Sequence, residues 1–498
     1  MFYIIEFILS AVLVVCIYKL VYISSYQYTL SIRYYLIFLL TAILMIGHLL
    51  TRDFKKIKLE SIFLILVIPI SLGYLFFMTP LSVADETAHH STAYQISKGT
   101  LINILPGEIP TNLKNNRATN YYKLDQLLKL ENDNNLLSTC RIVRYSPLVY
   151  FPSAVGLYIG NILNLNATIS FYIARVFNLL VFLITGYIGI KILPIGKLVL
   201  FVYLLNPMMI HQAISLSADS IINSLCLLLI CYSLYLMYKK EKLTNKNLLL
   251  LGLIMIATAS VKYVYIVLLL LPIFMLMKKH KTLTKTQKII ILITIILSLI
   301  TWVGIYVYGK YDAKKLDPNY DYSVISDKPD EHNKEINSSK QLHFLLENPQ
   351  NLVSMLYYTT INNAPFYLTT FLGQSLGELN INVNLLISVS YLLILVFSVI
   401  SQKEKKTYEK IPKLLMISIV IIEYGAIITG MSLQWTSVGN LIAEGVQGRY
   451  FLPVMILLLL ALIPKNNSIN IKNKELKFSA LLVAIHSATI ATIICNFI

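Results

Sequence analysis

The sequence is poor in charged residues, which make up 13% of its 498 positions. Soluble domains carry about 25% charged residues, so this composition excludes an ordinary soluble domain. With 56% apolar residues, the chain also has too much apolar surface for a disordered protein. Acidic residues number only 25 against 42 basic ones. The resulting net charge of +17 does not indicate nucleic-acid binding, because the basic residues fall between apolar runs about 20 residues long.

Cysteine is scarce, and its spacing shows neither a CxxC pair nor a metal-ligand pattern. The five positions are Cys16, Cys140, Cys226, Cys231 and Cys495. No disulfide framework follows from them. The sequence also lacks a Walker A loop. Its first apolar run has no basic start and no small-residue cleavage site, which predicts a membrane helix and not a removed signal peptide.

What the sequence has in abundance is long apolar runs, which predict an all-α, polytopic integral membrane protein of about 13 transmembrane helices. A helix rising 1.5 Å per residue needs roughly 20 apolar residues to cross about 30 Å of hydrocarbon. Residues 197–212 with 218–238 also fit a tight hairpin. The candidate spans are 2–23, 34–50, 60–79, 168–192, 197–212, 218–238, 247–260, 263–278, 288–308, 384–400, 413–431, 450–464 and 477–497.

The basic residues gather in alternate loops, which predicts the orientation of the chain. If these loops are cytoplasmic, the N-terminus lies inside and the C-terminus outside. The long segments 80–167 and 309–383 are then extracytoplasmic. The five basic groups are Arg52, Lys55, Lys56 and Lys58; Lys239, Lys240, Lys242 and Lys246; Lys278, Lys279, Lys281 and Lys285; Lys403, Lys405, Lys406 and Lys410; and Lys465, Lys472, Lys474 and Lys477.

We divide the chain into an N-terminal two-helix hairpin (1–59), a membrane domain (60–465) and a C-terminal transmembrane helix (466–498). In the first external segment, 86–97 and 121–137 are predicted amphipathic helices lying on the membrane. Pro147 to Leu163 is predicted as a juxtamembrane helix, because a further span there would place the later basic loops outside. In the second external segment, 309–340 is polar and 341–372 is predicted to be an interfacial helix pair.

Lys262 stands at a predicted break inside the apolar stretch 247–278, which is basic at both ends. One helix of these 32 residues would run about 48 Å, too long for one crossing. Two helices of about 15 residues reach about 22 Å each. The turn 259–262 is therefore expected below the outer surface, where a lysine is costly unless it meets an anion or a water-filled cavity.

The run Asp85-Glu86-Thr87-Ala88-His89-His90 follows the third predicted span, and its acids and histidines form i, i+4 pairs on shared helix faces. One interpretation is a helix start, with Ser82 and Asp85 in a capping box. The other is chemical: a general base for an acceptor hydroxyl, or a metal site. The two interpretations are compatible, since a capped helix can hold a base rigidly.

Further charged residues lie at predicted outer helix ends. Arg449 follows Gln447 and precedes Tyr450; it either snorkels to the interface or binds an anion. Arg175 lies about 10 Å deep in its span, where an unpaired cation is costly. Asp219 either caps its helix or faces the site across the turn from His211, and Arg144 is the weakest candidate. The span count places all these residues on one membrane face, as expected for a single outward cavity.

An ordered series of short motifs resembles the bacterial membrane family called domain of unknown function 2142, over roughly residues 60–465. The motifs are Thr79-Pro80 through Asp85-Glu86 and His89, Tyr145-Ser146-Pro147-Leu148-Val149-Tyr150, Ala174-Arg175, Ser217-Ala218-Asp219, Ser260-Val261-Lys262 and Gln447-Gly448-Arg449-Tyr450-Phe451-Leu452-Pro453. That family is in turn similar to GT-C glycosyltransferases, which share an Asp-Glu pair opening the first external loop. The first two spans look like an N-terminal addition.

The resemblance implies a GT-C-like helical membrane domain with external juxtamembrane helices, in the bacterial plasma membrane and with its site facing outside. It implies a polyprenyl-phosphate sugar donor and a glycan, lipid or protein acceptor in the cell envelope. Asp85 matches the acid that the relatives use as catalytic base, and Glu86 matches the second acid, which is more structural or metal-linked. Ser146-Pro147 replaces a His-Pro-Pro of the mannosyltransferases, which leaves the acceptor class open.

The expected reaction is inverting sugar transfer by a single displacement. Asp85 takes the proton of the acceptor hydroxyl. Lys262, Arg449, Arg175 and Arg144 are the candidate cations for the donor phosphate. His89 either orients Asp85 or binds a divalent metal. Asp219, Gln447 and Tyr450 complete the candidate site.

Other function classes stay open. A transporter or flippase of a lipid-linked glycan would also place cations in a membrane cavity, but it would favour inverted repeats, which the sequence lacks. A polysaccharide polymerase or ligase that uses a lipid-pyrophosphate donor would need similar residues, so the sequence hardly distinguishes it from the glycosyltransferase. A non-catalytic envelope scaffold is the remaining alternative.

Overall fold

The structure is a computed structural model. It describes residues 57–101, 107–115, 118–130, 135–139, 145–239, 241–312, 336–402, 407–465, 469 and 471–497. The predicted spans 2–23 and 34–50, Arg144 and most of the polar segment 309–340 lie outside the described residues. The division into three parts stays a prediction.

Six of the described helices are long and apolar enough to cross a bilayer. In chain order, with the labels used below, they are α1 (Leu59–Phe77), α6 (Ala167–Ile192), α9 (Asp219–Tyr238), α12 (Lys285–Asp312, of which Lys285–Ile305 is the apolar part), α16 (Lys410–Trp435) and α18 (Lys474–Asn496). Each coincides with a predicted span. The chain is therefore a multi-pass membrane protein, and the total of about 13 spans stays a prediction.

Shorter helices fill the intervals between these six. They are α2 (Glu86–Ser97), α3 (Thr111–Asn115), α4 (Tyr121–Lys129), α5 (Pro147–Ile162), α7 (Lys197–Leu204), α8 (Pro207–Ala213), α10 (Asn245–Val261), α11 (Leu270–Lys278), α13 (Ser338–Glu347), α14 (Pro349–Leu372), α15 (Leu385–Ile400) and α17 (Leu452–Ala461). Three-residue-per-turn helices cover Tyr263–Leu269, His280–Thr282 and Gly448–Phe451.

The core of the bundle surrounds α9, which is the most deeply buried of the six long helices. Helix α9 packs against α6, α10, α11 and α17, while α1 packs against α6 and α18. By contrast, α12 leaves nearly all of its apolar surface exposed, as expected of a helix that faces lipid. Helix α5 lies along α6 and also packs against α2, and these contacts hold α2 against the bundle.

The described chain is mostly helical, as the predicted all-α class requires, and two short antiparallel sheets are the exceptions. Strands β1 (Gly107–Pro110) and β2 (Leu136–Thr139) pair, and so do β3 (Ser375–Leu376) and β4 (Ile381–Asn382). The predicted single helix 121–137 is wrong, because α4 ends at Lys129 and the chain then enters β2. The stretch 373–377 reads Gly-x-Ser-x-Gly, but Ser375 lies in a hairpin strand and not at the strand-to-helix turn of a hydrolase nucleophile.

One predicted span is interrupted, and one predicted break is confirmed. The run 197–212 breaks at Asn206–Pro207, where Asn206 is extended before the proline and its side chain caps α8. Neither α7 nor α8 is long enough to cross a bilayer alone. The stretch 247–278 breaks as predicted, at Lys262, which adopts an extended conformation between α10 and the Tyr263–Leu269 helix.

Candidate functional site

The site begins at the turn between α1 and α2, which has an unusual backbone. Leu81 and Asp85 both adopt the left-handed conformation, each with φ of 61°. This conformation is costly for residues other than glycine and persists only where surrounding contacts impose it. Asp85 is the N-cap residue of α2 but makes no side-chain capping bond, and the Ser82 hydroxyl donates to the carbonyl of Thr79 instead. The predicted Ser82–Asp85 capping box is therefore wrong, and the Asp85 carboxylate is left for other partners.

Glu86 and Arg175 form a buried ion pair directly beneath this turn. Arg175 Nη2 lies 2.8 Å from Glu86 Oε2, and both side chains are completely buried. The same guanidinium donates to the carbonyls of Met78 and Thr79, and the backbone N–H of Leu216 donates to Glu86 Oε1. These bonds join the turn to α6 and to the loop before α9. The structure thus shows Arg175 and Glu86 holding the backbone around Asp85.

Arg449 connects the turn to the helix bundle. Its Nη2 donates to Asp85 Oδ2 at 3.2 Å, and its Nε lies 3.7 Å from Asp219 Oδ2. The Arg449 side chain is 4% exposed, whereas that of Asp85 is 62% exposed. Within the described part of the chain, Nε of Arg449 has no hydrogen-bond partner. A buried guanidinium therefore holds an accessible carboxylate and keeps one N–H unsatisfied.

The backbone before Arg449 is fixed by a close approach to α14. The N–H of Gly448 donates to Thr370 Oγ1 at 2.7 Å. A Cβ atom on Gly448 would lie 1.9 Å from the carbonyl oxygen of Tyr367 and 2.5 Å from the nitrogen of Phe371. Only glycine fits at this position, which sets the direction in which the Arg449 side chain leaves the backbone.

Lys262 lies beside Arg449, over two tyrosine rings. Its Nζ is 4.6 Å from the ring centre of Tyr450 and 5.3 Å from that of Tyr145. The guanidinium carbon of Arg449 lies 5.3 Å from the same Tyr450 ring. Among the described residues, no carboxylate forms an ion pair with Lys262. The half-buried lysine thus keeps its charge available for an anion.

His89 completes the site on the side of α2. Its Nδ1 is 2.8 Å from the hydroxyl of Tyr150, and its ring stacks on Tyr145 at 6.3 Å between centres. Burial lowers the pKa of His89 to about 4; Asp85 and Asp219 act against this shift, and the nearby cations add to it. The imidazole is therefore neutral at pH 7. Its contacts with Tyr150 and Tyr145 suit it to holding these two rings in place.

The structure brings together most of the residues that the sequence singles out. Contacts link Asp85, Asp219, Lys262, Arg449, Tyr450 and His89 into one cluster, in which Tyr145 joins Lys262 to His89, and Glu86 and Arg175 are buried next to it. Gln447 is adjacent, and its side-chain oxygen is buried without a partner in the described chain. The described residues contain no group of three or more His, Cys, Asp or Glu side chains placed to hold a metal ion.

Two tyrosines and one hairpin have roles in the site that are not evident from the sequence, although Tyr145 and Tyr150 lie within a family motif. Tyr145 joins Lys262 to His89, Tyr150 binds His89, and the β3–β4 hairpin reaches the turn through the Gly377 carbonyl, which accepts from the N–H of Ala84 at 3.2 Å. Tyr145 and Tyr150 lie on either side of the helix start at Ser146–Pro147. The sequence predicts this helix start but not the residues that the two tyrosines contact. No local sequence pattern signals the hairpin contact.

The family model described as Predicted membrane protein (DUF2142) matches residues 70–458, which is well over half of the chain. The chain belongs to this family. The matched region of this DUF2142 protein begins inside α1, ends inside α17 and contains every residue of the site. Comparisons with curated proteins and with solved structures gave no match.

Proposed function

We propose that this protein is an inverting membrane glycosyltransferase that moves a sugar from a polyprenyl-phosphate donor to a hydroxyl of a cell-envelope glycan, lipid or protein. The observation that carries the proposal is the Asp85–Arg449–Lys262 arrangement. An accessible carboxylate is held by a buried guanidinium, and a lysine without a carboxylate partner lies alongside. Transfer from a phosphate ester to a hydroxyl needs these two features, a base and cations, close together.

In the proposed reaction, Asp85 accepts the proton of the acceptor hydroxyl as its oxygen attacks the anomeric carbon. A new carbon–oxygen bond forms on the face opposite the phosphate. The bond between the anomeric carbon and the phosphate oxygen breaks, and its electron pair leaves with the lipid phosphate. One displacement inverts the anomeric configuration. The left-handed backbone at Asp85 directs the carboxylate away from α2, where a capping bond would otherwise occupy it.

The lipid phosphate gains negative charge as it leaves, and cations that already face it stabilise this charge most effectively. Lys262 is the principal candidate, because its ammonium group is half-buried and unpaired among the described residues. Arg449 adds positive charge beside Lys262 and fixes Asp85 at the same time, while its buried Nε faces Asp219 at 3.7 Å. Arg175 is left out of the phosphate site, because its guanidinium is fully buried and engaged by Glu86.

We further propose that the site opens away from the cytoplasm of a bacterial cell. The support is the distribution of lysine and arginine, which gather in alternate loops. In this orientation both the turn at Asp85 and the break at Lys262 lie at the external side. Sugar nucleotides are confined to the cytosol, so a donor attached to a membrane lipid suits such a site.

The test is to incubate the purified protein with defined polyprenyl-phosphate sugars and measure release of the lipid phosphate and the anomeric configuration of the product. Wild-type protein should release lipid phosphate and give an inverted product. Asp85→Asn should abolish release while donor binding persists. Asp125→Asn is the matched control, because Asp125 is a carboxylate of α4 paired with Lys129 away from the site.

Release by Asp85→Asn at the wild-type rate would remove Asp85 as the base. Movement of intact lipid-linked sugar across vesicles without bond cleavage would instead establish the flippase. Activity confined to lipid-pyrophosphate donors would establish the polymerase or ligase class.

A further inference from the structure

Gly377, in the β3–β4 hairpin, forms two backbone hydrogen bonds that point in opposite directions. Its N–H donates to Nε2 of His211 at 3.0 Å. Its carbonyl accepts from the N–H of Ala84 at 3.2 Å. One residue thus links a buried imidazole of α8 to the residue immediately before Asp85.

The hairpin that carries Gly377 is well fixed. Strands Ser375–Leu376 and Ile381–Asn382 pair in register, and Gly377 itself adopts a left-handed backbone with φ of 66°. A Cβ atom there would lie 2.4 Å from Asn380 Oδ1. The positive φ favours glycine at this position, and a larger residue would also displace the Asn380 side chain. The two peptide groups that flank the Gly377 Cα are held in one orientation. A shift at the bond to His211 therefore also shifts the bond to Ala84.

Asp85 depends on such support, because its left-handed backbone is costly for a residue with a side chain. Among the described residues, Glu86 and Arg175 bond to the backbone of this turn, and Arg449 bonds to the Asp85 carboxylate. The bond from Ala84 to Gly377 ties the backbone next to Asp85 to the β3–β4 hairpin. Its loss would free the peptide that precedes the proposed base.

His211 can accept this N–H only through an unprotonated Nε2, which places its single proton on Nδ1. The amide nitrogen Nε2 of Gln212 lies 3.2 Å from Nδ1, and its amide oxygen is buried without a partner in the described chain. Turning this amide over lets the oxygen accept the Nδ1 proton. The ring is 1% exposed. The guanidinium groups of Arg449 and Arg175 both disfavour a positive charge on it. Burial, the Gln212 amide and the two cations all keep His211 in its accepting form.

We propose that His211 is a positioning residue for Asp85, acting through the backbone of Gly377 and Ala84. The inference rests on the proposed role of Asp85 as the base. His211 touches neither donor nor acceptor; it fixes the hairpin, and the hairpin fixes the direction of the Asp85 carboxylate. A displacement of the base by about 1 Å is enough to cost about 100-fold in rate.

The experiment compares His211→Leu with His211→Gln. Leucine removes the acceptor, whereas the glutamine oxygen reaches close to the position of Nε2. We expect His211→Leu to lower kcat about 100-fold with an unchanged donor KM, because Lys262 is untouched, and His211→Gln to recover most of the kcat. Hydrogen–deuterium exchange of peptides covering 79–86 and 373–384 should rise in His211→Leu and stay near wild type in His211→Gln.

The matched control is His486→Leu, which removes a second buried imidazole. Its Nε2 lies 2.9 Å from the carbonyl oxygen of Leu205 in the bundle core, away from the hairpin. It should lower the melting temperature but leave kcat and exchange at 373–384 unchanged. If His211→Leu does not fold, His211→Asn replaces it, since its amide is one carbon shorter and does not reach Gly377.

Wild-type kcat in His211→Leu, or equal losses in the glutamine variant and the leucine or asparagine variant, would overturn the inference. The exchange measurement separates this failure from failure of the proposed function. If Asp85→Asn stays active, the role of Asp85 is wrong whatever the exchange shows. If Asp85→Asn is inactive and exchange does not respond to His211, the positioning role alone is wrong.

Discussion

Arg449 donates a hydrogen bond of 3.2 Å to Asp85 although 364 residues separate them in the sequence. The two residues differ sharply in environment, since the arginine is buried and the aspartate is exposed. The fixed partner therefore orients the accessible one. Asp219, 3.7 Å from Nε of the same guanidinium, balances the charge on the buried side.

From this contact we expect Arg449→Ala to lower kcat about 100-fold, as removal of one oxyanion-hole donor does in a serine protease. Arg449→Lys should recover only part of this loss, because an ammonium group cannot span two carboxylates as a planar guanidinium does. Steady-state rates of lipid-phosphate release test both variants. Full activity in Arg449→Ala would show that Asp85 needs no partner.

Lys262 should affect the affinity for the donor more than the affinity for the acceptor. Removing one hydrogen bond to a charged group costs about 1.5–3 kcal/mol, which corresponds to about 10- to 100-fold in affinity. Lys262→Ala should raise the donor KM by that factor and leave the acceptor KM unchanged. Lys278→Ala is the control, because this lysine pairs with Glu409 at an exposed helix end. A larger effect on the acceptor KM would contradict the phosphate role.

The Glu86–Arg175 pair should act on stability more than on substrate affinity. Breaking a buried ion pair from one side leaves an uncompensated charge and costs about 3–5 kcal/mol. Arg175→Met should therefore lower the melting temperature strongly. The double variant Glu86→Gln with Arg175→Met should be more stable than Arg175→Met alone, because no lone buried charge remains. Additive destabilisation in the double variant would show that the two side chains do not depend on each other.

Gly448 should tolerate no side chain. A Cβ atom there meets the Tyr367 carbonyl at 1.9 Å, so Gly448→Ala must displace either α14 or the backbone that carries Arg449. We expect loss of transfer in the folded fraction. Gly425→Ala is the control, because a Cβ at that α16 position meets nothing within 4 Å. Wild-type rates in Gly448→Ala would show that the close approach is not needed.

The sequence predicts the helices well because apolar length is a local property. The α1, α6 and α9 helices lie where their apolar runs place them, and the arithmetic of 247–278 anticipated the break at Lys262. The span count also predicted that the charged residues lie on one membrane face; the structure shows that most of them lie close together. The contacts themselves depend on the tertiary fold: nothing in the sequence shows that Arg175 pairs with Glu86 while Arg449 pairs with Asp85.

The capping box failed for a related reason. Ser82 and Asp85 have the required spacing, but the Ser82 hydroxyl donates to the Thr79 carbonyl and the helix begins only after Asp85. The Asp85 carboxylate accepts from Arg449 instead, a tertiary contact that the local spacing does not reveal. The short β3–β4 hairpin was missed because two-residue strands carry too little alternation to be seen in a sequence.

His90 provides a test of stability against pH. Its ring is buried between Tyr94 and Phe171, its Nδ1 has no partner in the described chain, and burial lowers its pKa to about 3. An unfolded histidine titrates near 6.5. Between these values the unfolded state binds a proton that the folded state does not, so stability falls as pH drops from about 6.5 towards 3.

His90→Phe removes this proton uptake and keeps an aromatic ring in the stack. We therefore expect the loss of melting temperature between pH 7.5 and pH 5 to be smaller in His90→Phe than in the wild type, with His343→Gln as the exposed control. His89, whose pKa burial lowers to about 4, adds a second contribution of the same sign that remains in the variant. An equal pH dependence in wild type and His90→Phe would mean that the His90 ring takes up its proton without leaving the folded state.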